Sequence, residues 1–158
     1  MANAFVRTRE DYAALVLRLG LAIVFFPHGA QKVLGWFGGS GARATIQGFS
    51  KMGLPPLVTV LVMAAEFGGA ILLVLGLLTR LAAVGIGALM VAAILLVHGK
   101  VGFFMNWFGN QKGEGFEYHL LAIGMAVALL ITGGGALSID RALSRDDDRS
   151  ISPAMPRM

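Results

Sequence analysis

YAALVLRLGLAIVFFPHGAQKVL, residues 12–34, decides how this chain folds. A helix of about 20 mainly apolar residues spans a bilayer, and this stretch has that length and character. Arg18 interrupts its apolar run and no small-residue cleavage site follows, so it reads as a retained span rather than a signal peptide. Composition agrees. Of 158 residues, 56% are hydrophobic and 14% charged, against roughly a quarter charged in soluble domains. One small water-soluble core could not hide that much apolar surface, so lipid is the expected solvent.

Three more segments qualify as spans: Pro55-Pro56 to Leu78, Leu81 to His98, and Tyr118 to Thr132. The expected architecture is therefore all-α, an integral-membrane four-helix bundle over residues 12–140. A cytoplasmic N-terminus (1–11) and a polar tail (141–158, with Asp146, Asp147 and Asp148) flank it. Thr79-Arg80 reads as a tight hairpin, and the two long connections, 35–54 and 99–117, lie on the opposite face. Arg7, Arg9, Arg80, Arg141, Arg145, Arg149 and Arg157 gather on the hairpin side; Lys32, Arg43, Lys51, Lys100 and Lys112 lie on the other. The positive-inside rule then puts both termini in the cytoplasm and the long loops outside a cytoplasmic (inner) membrane. Small residues four apart, such as Ala65 and Gly69 or Ala83 and Gly87, let helices approach closely in lipid.

Two classes of function are excluded by what the chain lacks. It has no cysteine, hence no disulfide framework, thiolate metal site or thiol redox cycle of its own. Its bases are dispersed, without the clustering of a nucleic-acid footprint.

The polar residues within the spans mark the candidate site. His28, His98 and His119 are all the histidines of the chain, and all fall at one membrane face. His28, Gln31 and Lys32 share a helix face by their i, i+3, i+4 spacing, with Pro27 placed to kink the helix there. Glu66 lies roughly 16 Å into the second span. An ionisable group at that depth is normally turned inward and partnered, and Arg18 is its expected ion-pair partner. The loops on the histidine side carry Trp36, Phe37, Phe49, Phe103, Phe104, Trp107, Phe108, Phe116 and Tyr118, nine of fourteen aromatics in the chain. A belt would decorate both faces, so a cap over the histidines explains this bias better.

The phrase HGAQKVLGWFG, residues 28–38, returns as HGKVGFFMNWFG at 98–109, each copy after an outward-running span. This suggests two parallel helical hairpins related by an axis along the membrane normal.

LRLGLAIVFFPHGAQKVLG (17–35), the Gly53-Leu54-Pro55 lead-in to MAAEFGGAILLVLGLLTRLAA (63–83), and TGGGALSID (132–140) together resemble the DoxX family of small membrane proteins. Arg18, His28, Gly29, Lys32, Glu66, Gly68, Gly69, Gly76 and Asp140 stand where the family's recurrent residues stand. The resemblance implies a cytoplasmic-membrane protein working near quinones, since the family is named for a subunit of a thiosulfate:quinone oxidoreductase and other members are associated with redox complexes.

Three functions follow as expectations. The first is a redox-complex subunit binding a quinone and an anionic sulfur donor, beside a redox partner protein. In it Glu66, His28 and His98 are the catalytic candidates, while Lys32, Gln31, His119, Trp36, Trp107 and Tyr118 are the binding candidates. The second is a non-catalytic anchor or assembly subunit, or a small-solute transporter; a homo-oligomer or complex suits four short spans. The third is a haem held by His28 and His98, or a metal held by the three histidines with Glu117. That third class is disfavoured, because histidines also stabilise bundles by hydrogen bonding alone.

Overall fold

The computed structural model describes residues 7–144. These residues form helices and no strand. In chain order they are α1 (Tyr12–Val33), α2 (Gly41–Lys51), α3 (Pro56–Met63), a π turn (Ala64–Gly68), α4 (Gly69–Leu75), α5 (Thr79–Leu96), a short 3-10 turn (His98–Lys100) and α6 (Glu117–Thr132). The aspartate run and the arginines at 145, 149 and 157 lie outside the described residues.

Among the described residues, three helices are long and apolar enough to cross a membrane: α1, the unbroken α3–π–α4 rod Pro56–Leu75, and α5. The fourth apolar helix, α6, is shorter at 16 residues. Their outward faces stay apolar, with Ile23 at 72%, Leu121 at 71% and Ile131 at 75% exposure. Such a surface is stable only against lipid. Inward faces of α1, α4, α5 and α6 share one core that includes Leu21, Phe25, Leu73, Ile86 and Leu129.

Small residues allow part of this packing. Gly87 of α5 faces Ala126 of α6, and Gly85 faces Ala65 of the π turn, each with room for ordinary contact. Among the described residues, nothing lies within 4 Å of a Cβ placed at Gly68 or Gly124. Gly29 is tighter than these, because a Cβ there would lie 2.5 Å from the Phe67 backbone nitrogen. Only glycine lets α1 meet the π turn so closely.

One end of the molecule is a polar floor. Arg18, fully buried, donates to the carbonyls of Leu73 at 2.7 Å and Val74 at 3.2 Å, and to those of Ala136 at 2.9 Å and Leu137 at 3.2 Å. The carboxylate of buried Asp140 accepts from Leu78 N at 2.8 Å and Thr79 N at 2.9 Å, capping the start of α5. Gly76 closes α4 in the left-handed region at φ 61°, where a side chain would also strike Ser138 and Arg18. Arg80 donates to the Leu130 and Ile131 carbonyls at the end of α6, and Thr8 bonds Thr132 O.

Three expectations are corrected here. The hairpin turn occupies Gly76 to Leu78, and Thr79 already opens α5, because Asp140 supplies the helix cap just there. Residues 35–54 are not all loop, since α2 forms within them. Arg18 does not pair with Glu66. Its guanidinium lies beside the end of α4, seven and eight residues past Glu66, which puts it roughly 10 Å farther along the axis.

Candidate functional site

At the opposite end from the floor, α1 stops early. Gly29 is level with Phe67, so α1 ends beside the middle of the α3–α4 rod. The amphipathic α2 covers the step. Thr45 anchors it, its hydroxyl donating to the Lys32 carbonyl at 3.3 Å and the Gly41 carbonyl at 2.8 Å. Beneath α2 a cavity of about 630 Å³ opens between α1, α3, α5 and the start of α6. Its floor includes Phe25 and Met90, which also belong to the core.

Most of the wall is aliphatic: Val24, Val58, Val62, Leu89, Ala93 and Leu96 among others. The polar groups are few: His28, Lys32, Glu66, His98, Glu114, Tyr118 and His119. Glu66 sits inside the π turn, a helix irregularity that recurs at functional sites. Lys32 Nζ meets Glu66 Oε2 at 2.6 Å, with side-chain exposures of 22% and 9%. This is the partner that replaces Arg18. The register of α1 against the rod puts the last turn of α1, and not its first turns, beside the π turn. Lys32 thus reaches back over its own helix toward the cavity rather than snorkelling outward.

The histidines meet from two sides. His98 ends α5 in the 3-10 turn, and its ring centroid lies 4.2 Å from that of His119 on α6. His98 Nδ1 is 2.8 Å from the Glu114 carbonyl. Tyr118 stands edge-on to His119 at 5.6 Å. His28 lines the same cavity from α1.

Of the sequence candidates, Glu66, His28, His98, His119, Lys32 and Tyr118 therefore share one cavity. Three do not line it. Gln31 turns away and donates to the Phe37 carbonyl at 3.0 Å. Trp36 is 55% exposed and packs edge-on against Phe37. Trp107, 80% exposed, sits on a loop where its Nε1 donates to Glu117 Oε1 at 3.4 Å. Glu117 also accepts from Met105 N, so it braces the loop rather than facing the histidines. Among the described residues, no three His, Cys, Asp or Glu side chains gather as a metal site would require.

Of the aromatics read as a cap, Phe49 of α2 and Tyr118 line the cavity. Met52, at the end of α2, Met105 and Glu114 line it as well and were not among the residues read from the sequence. Thr45, Phe49 and Met52 recur at i, i+4, i+7, the one sequence signal that would have revealed α2. The two HG…WFG phrases also differ in form. The first is helical through Val33, while the second is a 3-10 turn followed by irregular chain.

The family model for DoxX matches residues 13–99, which carry α1 through the start of the 3-10 turn. CatD of Bacillus subtilis (strain 168), provisionally named an oxidoreductase, is 34% identical over 130 residues, covering 82% of this chain and 86% of the relative. The inner membrane protein YqjF of Escherichia coli (strain K12) is 32% identical over 136 residues, covering 86% and 95%. A second inner membrane protein of that organism, YphA, is 29% identical over 133 residues, covering 80% and 87%. No solved structure matches the chain at a significant level. The lipid-facing helices, the match across more than half the chain and relatives aligned over most of their length lead to one assignment: this is a membrane protein of the DoxX family.

Proposed function

We propose that this chain is the membrane subunit of a quinone-linked redox system. Its four apolar helices act as four spans with both termini cytoplasmic, and its cavity binds a quinone. The observation that carries this reading is the cavity itself: about 630 Å³, largely aliphatic, with a few polar side chains in its wall. That size and lining are typical of small-molecule sites. A quinone ring needs flat apolar walls and hydrogen bonds to its two oxygens, and Tyr118, His28 and the His98–His119 pair supply candidates for the latter. The family membership and a relative provisionally named an oxidoreductase support the redox assignment.

A bound quinone supplies a two-electron, two-proton acceptor. The residues' part is to bind it, exclude water and deliver protons. Glu66 is the proton-transfer candidate, held in the wall by Lys32. The chain has no cysteine, so electrons come from a partner protein or a bound donor. An anionic sulfur donor at Lys32 would take the place of Glu66 as counter-charge.

The test is direct. Protein purified in mild detergent is extracted and its lipids analysed by mass spectrometry. It is then titrated with a short-tailed benzoquinone under a thermal-shift readout. Co-purified quinone and saturable stabilisation are the expected results. No quinone in the extract and no stabilisation at high micromolar ligand would sink the proposal.

A further inference from the structure

The chain between α5 and α6 has its polarity reversed from that of a loop in water. Its large apolar side chains lie on the outside: Phe103 and Phe104 are exposed, and Trp107 and Phe108 are 80% and 91% exposed. Its polar side chains turn back onto its own backbone. The Glu117 carboxylate accepts from Met105 N at 2.9 Å, and that of Glu114 from Asn106 N at 2.7 Å. The Asn106 amide oxygen accepts from Gln111 N at 3.0 Å, and its NH₂ group donates to the Gln111 carbonyl at 3.3 Å. Water favours the opposite arrangement, because it solvates carboxylates well and apolar rings poorly. Exposed aromatic surface of this extent marks an interaction site.

The place of the loop in the fold says what covers it. α6 has 16 residues, roughly 24 Å of helix against a hydrocarbon core of about 30 Å. The charged floor, where Arg80 holds the last carbonyls of α6, marks the water boundary at one end. The shortfall of roughly 6 Å therefore falls at the start of α6, where the loop joins it. Phe116 N donates to the Gly102 carbonyl at 3.1 Å and Glu117 N to the Phe103 carbonyl at 2.9 Å, which lays the aromatic stretch beside that start. A side chain at Gly115 would strike the Phe103 and Phe104 carbonyl oxygens, so the approach is close.

Neighbouring residues point to the same surroundings. Exposed Leu95 and Leu96 precede the stretch on α5, and exposed Leu120 and Leu121 follow it on α6. Lys100 and Lys112, both exposed, flank the aromatics. Tryptophan beside lysine suits the headgroup level of a bilayer, where a ring can rest on acyl chains while an ammonium reaches phosphate and water. Irregular backbone is costly at the edge of the hydrocarbon, and the inward-turned carboxylates and amides lower that cost by supplying its hydrogen bonds.

We propose that residues 103–108 insert into the lipid headgroup interface at the cavity end, where they complete the short apolar length of α6. Lipid is the occupant of this surface. Met105 and Glu114 of the same loop line the cavity, so the wall there is one loop thick with lipid behind it. The inference rests on α6 being a span, as proposed above, and is independent of what the cavity binds.

The experiment uses the two tryptophans of the chain, Trp36 and Trp107, as depth gauges. Full-length protein with Trp36→Phe is reconstituted in phosphatidylcholine vesicles of three kinds: unbrominated, brominated near the headgroup end of the acyl chains, and brominated near the chain ends. Trp107 should lose most of its emission in the shallow-brominated vesicles and much less in the deep-brominated ones. Aqueous acrylamide should quench it little. The difference between wild-type protein and Trp107→Phe gives the same signal should Trp36→Phe fold poorly. A third protein, with both tryptophans replaced by Phe and with Leu121→Trp on the exposed face of α6, reports the depth of that helix.

Quenching of Trp107 by acrylamide, with neither brominated lipid acting, would place the loop in water and overturn the proposal. Shielding from all three quenchers would mean that a protein face, such as a second copy of the chain, covers the loop, which also overturns it. Stronger quenching by the deep-brominated lipid would put the loop in the hydrocarbon and overturn the interface assignment. If the Leu121→Trp reporter escapes the deep-brominated lipid, α6 is not a span, and the four-span reading fails together with this one. If that reporter is quenched and Trp107 is not, only the loop proposal falls.

Discussion

Glu66 shows how much one residue's meaning depends on its neighbour. A carboxylate in the middle of an apolar rod demands a partner, and that demand is readable in sequence. Which cation answers it is not, because the answer is a register between two antiparallel helices. Arg18 and Lys32 stand 14 positions apart on α1, roughly 21 Å along its axis. Only the second comes level with the π turn. Removing one partner leaves a charge unmatched in a low-dielectric wall. Lys32→Met is therefore expected to destabilise the protein by about 1–3 kcal/mol, less than a fully buried pair because Lys32 retains some exposure. Glu66→Gln in the same background should recover most of the loss. A double-mutant cycle on apparent melting temperature in detergent checks it, and additive losses would show that the pair carries no coupling.

At the scale of elements, the two ends of the molecule are built differently. The floor ties the α4–α5 turn to the segment after α6 through Asp140, whose two oxygens each accept a backbone N–H. In Asp140→Asn one of those oxygens becomes an NH₂, which sets a donor against a donor at Leu78 or Thr79. The expected cost is about 1–3 kcal/mol, read as a lower melting temperature with faster amide exchange at the start of α5. Exchange in α2 should be unaffected. α2 itself rests on Thr45 and a few apolar contacts, and it is the element the sequence reading missed. Its mean polarity concealed it among loop residues. Its periodicity, Thr45, Phe49 and Met52, was short and embedded among glycines and a lysine. Without α2 the cavity has no roof, so much of the site's shape lay beyond a reading of spans and loops.

For the whole molecule, the described arginines and lysines separate by end. Arg7, Arg18, Arg80 and Arg141 serve the floor, where Arg80 donates to the Arg7 carbonyl and Arg141 pairs with Glu10 at 2.5 Å. Lys32, Arg43, Lys51, Lys100 and Lys112 belong to the cavity end. If the floor is cytoplasmic, as proposed, the cavity opens toward the outer leaflet. A chain without cysteine makes the orientation easy to test. Lys112→Cys should react with a membrane-impermeant maleimide on intact cells, and Arg9→Cys only after permeabilisation, both sites being exposed. The opposite labelling pattern would invert the topology and move the cavity to the inner leaflet.

What the sequence determined by itself was the solvent and the apolar helices. Hydrophobic runs such as residues 12–34 are local facts: each must meet lipid wherever the rest of the chain goes. It also marked Glu66, Lys32, Tyr118 and the three histidines, because polar groups in such runs are costly enough to need a reason. Trp36, Gln31 and Trp107 were marked by the same proximity but face elsewhere, since position along a chain does not say which way a side chain points. The tertiary structure alone decided the pairing of Lys32 with Glu66, the engagement of Arg18 by four carbonyls, and the contact of His98 with His119. Those depend on the axial register and crossing of helices far apart in sequence. That register is fixed by close contacts such as Gly29 on Phe67, which no single hydrophobic run contains.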